Sequence, residues 1–196
     1  MRPIAGVILA AGESRRMGSP KALLPIGGET FARRAVRVAR EAGLEPVRLV
    51  VGSALPDLAA AHPELVPLLV TNPHPEQGQL ASLRVGLASL PPEVDAAVVH
   101  LVDHPLVTAE TVRALLRARR ATAAAIVVPV AGGRRGHPVL FGREIFAELE
   151  TCPLDLGARA VVAGRPERVL EVEVNDGGIH VDVDSPADYA TMSGDA

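Results

Sequence analysis

Among its 196 residues the chain has one cysteine, Cys152, which excludes an internal disulfide framework and a cysteine-rich zinc site. That lone thiol is expected to be a small, partly buried apolar residue rather than a nucleophile. Tryptophan is absent, and three phenylalanines and one tyrosine are all the aromatics, yet 48% of the residues are apolar. The core must then be filled by Val, Leu, Ile and Ala, which suits strands sandwiched between helices. The length allows a sizeable core within one domain spanning residues 1–196. No apolar run approaches the ~18 residues of a membrane span, and the N-terminal stretch lacks the features of a signal peptide. A net charge of −3 leaves no broad basic field for nucleic acid or an anionic membrane. The expectation is a cytoplasmic protein that binds neither.

Lysine is as scarce as cysteine: Lys21 is the only one, and every other Lys/Arg position is arginine. It falls in the stretch 4–25, IAGVILAAGESRRMGSPKALLP, around which the rest of the chain is organised. Residues 4–9 are an apolar run that reads as a strand buried on both faces. The run breaks into Ala10, Ala11 and Gly12, small residues that let backbone approach a ligand, and Gly18 adds a position where positive φ carries no steric cost. Arg15, Arg16 and Lys21 surround this turn. Backbone N–H groups would cradle the oxygens of a polyphosphate while the cations neutralise its charge. An ammonium on a flexible stem differs chemically from arginine's planar fork, and phosphate chemistry can use the difference. The stretch has neither the GxxxxGK[ST] order of a P-loop nor a GxGxxG followed by an acidic residue about 20 positions on.

Further along, Thr30 caps a helix to about Ala42 that turns Phe31, Ala35, Val38, Ala39 and Ala42 inward. Arg33, Arg34, Arg37 and Arg40 make its solvated face, and Gly43 ends it. Residues 47–51 are a second buried strand, 55–61 a short amphipathic stretch, and 66–70 a third strand with Pro67 at its start or on an edge. Short apolar strands alternating with helical segments argue for a parallel-dominated α/β sheet, which binds ligands at the carboxyl ends of its strands. In 71–87 a proline-rich loop leads through Gly78 to a helix from Gln79, with Ser82 in the first turn, where hydroxyls and N–H groups are available to a ligand. Residues 95–103, DAAVVHLVD, form a near-continuous apolar strand ending in Asp103. A carboxylate there points into the ligand crevice and suits a hard cation such as Mg2+. Thr108 caps a helix to about Arg119, and 124–130 is a strand. Gly132, Gly133 and Gly136 make a flexible loop carrying Arg134 and Arg135, before a strand at 139–141. An alternating strand at 169–174 and a turn at Gly177 and Gly178 lead into 179–183, where Val181 and Val183 point one way and Asp182 and Asp184 the other. None of the six histidines is read as falling at i, i+4 with a partner or near a second soft ligand, so no zinc site is expected.

The opening stretch resembles the signature LAAGxSxRMGxxK of the nucleotidyltransferase family that includes the molybdenum-cofactor cytidylyl- and guanylyltransferases. Here it runs unbroken through Leu9, Ala10, Ala11, Gly12, Ser14, Arg16, Met17, Gly18 and Lys21. Gly78, Ser82 and Leu83 are similar to the family's GMxxSLxxG segment, which approaches the base and ribose, with Gln79 in place of Met. Asp103 and Pro105 match the family's D-M-P, with His104 in place of Met. The string GHPVLF, with His137, resembles a segment on the acceptor side of the cleft. Asp155, Gly157, Ala158 and Arg159 match the acceptor-binding GDxGAR segment, with Leu154 where glycine is usual. The ending VDVDSPADY resembles D-I-D-T-P-E-D, in which an acidic or amide side chain completes the metal shell.

The resemblance spans nearly the whole chain. It implies a three-layer Rossmann-like nucleotidyltransferase fold with a mostly parallel mixed sheet. It also implies Mg2+-dependent transfer of a nucleoside monophosphate to a phosphate-bearing acceptor, with loss of pyrophosphate. Asp103 with Asp182 or Asp184 would hold the metal; Asp182 is slightly preferred, because Asp184 could instead cap the last helix. Arg16 would bind pyrophosphate, with Arg15 assisting or facing solvent, and Lys21 would neutralise the α-phosphoryl oxygens. Arg134 and Arg135 would either meet the acceptor's phosphate or stand as a solvated pair, and His137 alone reads as structural more readily than functional. LAAG at 9–12 is similar to the cytidylyl branch, which implies CTP with molybdopterin as acceptor and a molybdoenzyme as recipient of the product. The alternatives are a guanylyl- or sugar-phosphate nucleotidyltransferase, or a non-catalytic nucleotide- and cofactor-binding accessory protein.

Overall fold

The computed structural model describes residues 2–12 and 17–194. The first strand, β1 (Ile4–Ala10), is buried along its whole length, as an uninterrupted apolar run requires. The short strands β2 (Pro25–Ile26) and β3 (Glu29–Thr30) form a separate hairpin around Gly27 and Gly28. Helix α1 (Phe31–Glu41) starts at Thr30, whose hydroxyl accepts the backbone N–H of Arg33, and it buries the apolar side set out by its 3.6-residue period. β4 (Val47–Val51), α2 (Leu55–Ala61), β5 (Leu69–Thr71) and α3 (Gln79–Ala88) follow. Next come β6 (Ala96–Leu101), α4 (Ala109–Thr122), β7 (Ile126–Ala131), β8 (Arg134–Arg135) and β9 (Val139–Gly142). The remaining elements are α5 (Arg143–Thr151), α6 (Ala158–Gly164), β10 (Val169–Glu173) and α7 (Pro186–Gly194).

The main sheet has the order β10-β7-β9-β6-β1-β4-β5, with β8 added to β7. β1 pairs in parallel with both β4 and β6, β4 with β5, and β7 with β10; β9 runs antiparallel between β6 and β7. This is the mostly parallel mixed sheet that the alternation of apolar strands and helices predicts. Successive β1 side chains face opposite layers: Ile4, Ile8 and Ala10 join the core under α1 and α4, while Val7, Leu9 and Ala11 join the core under α3 and α5. Gly86 on α3 sits where a Cβ would lie 2.5 Å from Val7, so that helix approaches the sheet closely. The chain leaves β1 toward β4 on one side and returns through β6 on the other. The crevice outside the carboxyl ends of β1 and β6 is therefore the topological switch point.

Three expectations need correction. Residues 63–68 form a 3-10 helix, and the strand begins only at Leu69, because Pro63 opens the turn and Pro67 cannot donate to a ladder. Residues 131–135 are a tight hairpin, not a flexible loop: Gly132 and Gly133 take φ of 58° and 75° as a two-residue turn, and Ala131 pairs with Arg134. No strand forms at 179–183; residues Gly177–His180 make a 3-10 turn and the chain then runs extended without a ladder partner.

Candidate active site

A cleft of about 510 Å3 opens at the switch point, lined by Leu9, Ala10, Ala11 and Gly12 at the end of β1, by Gly78 and Ser82 of the α3 entry, and by Lys21, Asp103 and Asp184. Gly78 reaches the start of α3 with a φ of 95°, a conformation open to glycine alone at low cost. Ser82 is buried, and its hydroxyl oxygen accepts the side-chain N–H of Asn72 at 2.9 Å, which leaves its proton to donate. Asn72 also accepts the backbone N–H of His74, so one buried amide ties the proline-rich loop to α3. Gly18, three residues before Lys21 in the chain, takes a φ of 67° and does not line the cleft. Arg15 and Arg16, assigned above to phosphate, lie outside the described residues.

The centre of the cleft is an ion triplet. The Lys21 ammonium lies 3.1 Å from an Asp103 carboxylate oxygen and 2.5 Å from one of Asp184. Burial pulls the Lys21 pKa down, but the hydrogen bonds and charges of Asp184 and Asp103 outweigh that pull and hold it above the ordinary lysine value. Asp103 comes from the carboxyl end of β6. Asp184 comes from the opposite part of the chain, where the backbone N–H of Val183 donates to the Asp103 carbonyl at 2.9 Å. Capping of α7 falls to a reciprocal pair, Ser185 and Asp188, so the Asp184 carboxylate is turned to the cleft instead. Asp182 is exposed and does not line the cleft, whereas Asp184 does.

Two carboxylates converging on one cation are a hard-oxygen donor set that fits Mg2+, which takes one or two protein carboxylates and leaves its other positions to phosphate and water. Among the described residues no group of three or more His, Cys, Asp or Glu side chains is arranged to hold a metal. A cation here would depend on the phosphates for the rest of its shell.

A second cavity of about 640 Å3 adjoins the first, sharing Leu9, Gln79 and Leu101 with it. Arg135, His137, Asp155 and Arg159 line it, over an apolar floor that includes Leu83 and Phe141. Arg134 faces away from it on β8, where its carbonyl accepts the ring N–H of His180. The Arg135 guanidinium is engaged by Glu171 at 2.7 Å, so a phosphate meeting Arg135 has a carboxylate to displace. Leu154, standing where glycine was expected, is on this wall, and Gly157 takes the positive φ of 68° at the entry to α6.

Sequence reading missed a histidine cluster. The His104 and His137 rings lie 4.9 Å apart, and the Nε2–H of His100 donates to the His104 carbonyl. Burial pushes the pKa of His100 and of His137 down to about 4 and lowers that of His104, which keeps all three neutral near pH 7. The Nδ1 atoms of His104 and His137 are buried without a partner among the described residues. His100 and His104 stand four apart at the end of β6, a spacing visible in the sequence, but His137 comes from a distant segment, and only the fold brings it to them. Gly52 was missed too: a Cβ there would lie 3.0 Å from the Ala11 carbonyl oxygen and 3.1 Å from Pro75, both on the cleft wall.

The family model for the MobA-like NTP transferase domain matches residues 6–172. The chain belongs to that family. Asp103 and Lys21 lie within the matched stretch, and Asp184 beyond it. The probable molybdenum cofactor guanylyltransferase of Opitutus terrae is 64% identical over 47 residues, 24% of this chain and 23% of that one. The nicotine blue oxidoreductase of Paenarthrobacter nicotinovorans is 31% identical over 190 residues, 93% of this chain and 92% of that one. The solved structure of Rv0371c from Mycobacterium tuberculosis H37Rv is 34% identical, covers 98% of each chain and has a TM-score of 0.87; a structure of Rv0371C with manganese covers 99% and 100%, at 31% identity and a TM-score of 0.79. The chain spans only about a quarter to a half of the length of several curated relatives it matches. No helix among the described residues is long and apolar enough to cross a membrane.

Proposed function

We propose that the protein is an Mg2+-dependent nucleotidyltransferase of the cytoplasm that moves CMP from CTP to a phosphate-bearing acceptor, with molybdopterin favoured and a molybdoenzyme as recipient of the product. The observation that carries this reading is the sole lysine held between Asp103 and Asp184 in a cleft floored by small residues. An acceptor phosphate oxygen bonds to the α-phosphorus, the bond from that phosphorus to the bridging oxygen breaks, and pyrophosphate leaves with the electron pair. The second pKa of a phosphate monoester lies near 6, so the nucleophile is already ionised and needs no general base. Catalysis is then positioning plus charge stabilisation. Ala10 to Gly12 line the cleft beside Lys21, where their backbone would meet phosphate oxygens and the ammonium would meet the charge growing on the α-phosphoryl group. Mg2+ held by Asp103 and Asp184 would supply Lewis-acid stabilisation of the phosphate oxygens. Arg16 would take the departing pyrophosphate, with Arg15 assisting or facing solvent. His137, Asp155 and Arg159 orient the acceptor in the adjoining cavity.

LAAG at residues 9–12 favours CTP, whereas the likeness to the Opitutus terrae protein over 47 residues favours GTP. A panel of the four triphosphates with molybdopterin and with sugar phosphates, read as pyrophosphate formed, decides among them. The expected result is release with CTP and molybdopterin that disappears in folded Lys21→Ala and Asp103→Asn proteins. Release with GTP alone would overturn the cytidylyl assignment, and release with a sugar phosphate alone the molybdopterin one. Triphosphate binding without any release would indicate an accessory protein, and would equally fit redox chemistry of the kind named for the Paenarthrobacter relative.

A further inference from the structure

Asp184 reaches the cleft on an arm, residues 176–184, that belongs to no strand and no long helix. Something must fix its position, because an extended segment without a ladder has no register of its own. At its far end Val183 is fully buried and its N–H is held by the Asp103 carbonyl. In the middle Ile179 is fully buried, and its carbonyl accepts the His137 N–H at 3.0 Å. A Cβ at Gly178 would lie 2.5 Å from the Leu106 carbonyl oxygen, so backbone meets backbone there.

At the near end stands Asp176. One of its carboxylate oxygens accepts the Thr108 backbone N–H at 3.0 Å, the Thr108 hydroxyl at 2.8 Å and the Thr111 hydroxyl at 2.6 Å; the other accepts the Gly178 N–H at 2.9 Å. Helix α4 has its own cap in Thr108, whose hydroxyl oxygen accepts the Thr111 N–H. Asp176 therefore adds more than the helix end requires. Thr108 closes the loop that begins at Asp103, so this cluster joins the root of the Asp103 loop to the root of the Asp184 arm. Burial opposes ionisation of Asp176, and the four donors outweigh it, so its pKa sits below the ordinary aspartate value and the clasp is charged near pH 7.

We infer that Asp176 is a positioning residue for the cation site, setting the separation of the Asp103 and Asp184 carboxylates through its hydrogen bonds to Thr108, Thr111 and Gly178. It rests on the reading of Asp103 and Asp184 as the metal-holding pair. Lying past residue 172, it also gives the stretch beyond the matched family segment a task in the site. The test is Mn2+ alone titrated into the full chain without nucleotide, with free ion followed by electron paramagnetic resonance and the melting midpoint recorded beside it. Asp103→Asn should weaken Mn2+ binding strongly. Asp176→Asn, which acts through Thr108 and Gly178 and not by bonding to a ligand, should weaken it about fivefold, less than the roughly tenfold or more of a direct outer-shell partner, and the isosteric Thr111→Val by about threefold. Asp95→Asn, at the other end of β6, should lower the midpoint and leave Mn2+ binding unchanged. If Asp176→Asn and Thr111→Val lower the midpoint while Mn2+ affinity stays within about twofold of the parent, far short of an outer-shell effect, Asp176 is a capping residue only and the inference fails. If Asp103→Asn itself binds Mn2+ normally, the metal-ligand reading fails first.

Discussion

Strand β6 has an aspartate beside each end, and the two are used in opposite ways. Asp95 at the amino end binds Arg119, whose side chain is 8% exposed and also donates to Glu144 and to the carbonyls of Ala123 and Ala124. That guanidinium ties the end of α4 to the start of β6 and of α5, and its donors all serve the fold. Asp103 at the carboxyl end shares the Lys21 ammonium with Asp184, whose side chain is 42% exposed. A compact ammonium on a flexible stem can leave one set of oxygens for another, which a forked guanidinium anchored at several points cannot do without breaking all of them. Similar charges are thus structural at one end of the strand and available for chemistry at the other.

Substitutions at the two ends should separate activity from stability. Asp103→Asn is expected to reduce pyrophosphate release by about a thousandfold, the scale of removing a main electrostatic contributor, while its urea midpoint stays close to the parent's. Arg119→Met should do the reverse, costing about 3 kcal/mol of unfolding free energy through the broken buried network and leaving turnover per folded molecule intact. Equal loss of turnover in both proteins would erase the distinction between the two ends.

The same contrast explains what could be read from the sequence. The structural half was legible: Thr30 and Thr108 as caps, the buried run of β1, the apolar stripe of α1 and the strand 47–51 all follow from local chemistry and period. Misreadings came where local pattern and ladder part company. Val181 and Val183 alternate with Asp182 and Asp184 as a strand would, but the arm finds no strand to pair with. Val66 looked like strand and is 47% exposed on a proline-bounded 3-10 turn. In the site, the glycine bend and Asp103 carried their own signals. The turn of Asp184 to the cleft depends on its meeting Lys21 from the far end of the chain, and the histidine cluster on His137 meeting the end of β6; neither contact is a property of any one stretch.

A third test uses pH. His100 lies within β6, fully buried, with the backbone of His104 accepting from it; His104, His137 and Asp103 are the titratable groups whose charge it feels or that feel its own. Its folded pKa of about 4 lies below the unfolded value of about 6.5, so between those values the unfolded chain binds a proton that the folded chain refuses. Stability should therefore fall as pH drops from about 6.5 to 4, by roughly 3 kcal/mol for this one group. Urea unfolding across that window should show the slope, and His100→Asn should flatten it. Asp176, with a depressed carboxylate pKa, acts below that window: its contribution is complete above the unfolded value of about 3.9 and is lost on further acidification. A parent protein equally stable at pH 7 and 5 would mean that the carboxyl end of β6 is hydrated and not packed.

The smallest expected effect bears most directly on how the cleft works. The Lys21 ammonium occupies the place where the two carboxylates would meet a metal, so on the proposed reading the two cations compete for the same oxygens. Nucleotide phosphates would relieve that competition by giving the ammonium another partner. Lys21→Met keeps the apolar stem and removes the charge, and it should tighten Mn2+ binding in the absence of nucleotide by about fivefold, although the same change abolishes transfer. In the parent, Mn2+ should bind better once a triphosphate is present, and in Lys21→Met that gain should shrink. Unchanged or weaker Mn2+ binding in Lys21→Met would mean that Lys21 helps to assemble the carboxylate pair, which would place the ammonium at the carboxyl end of β6 in the same structural role that Arg119 fills at the amino end.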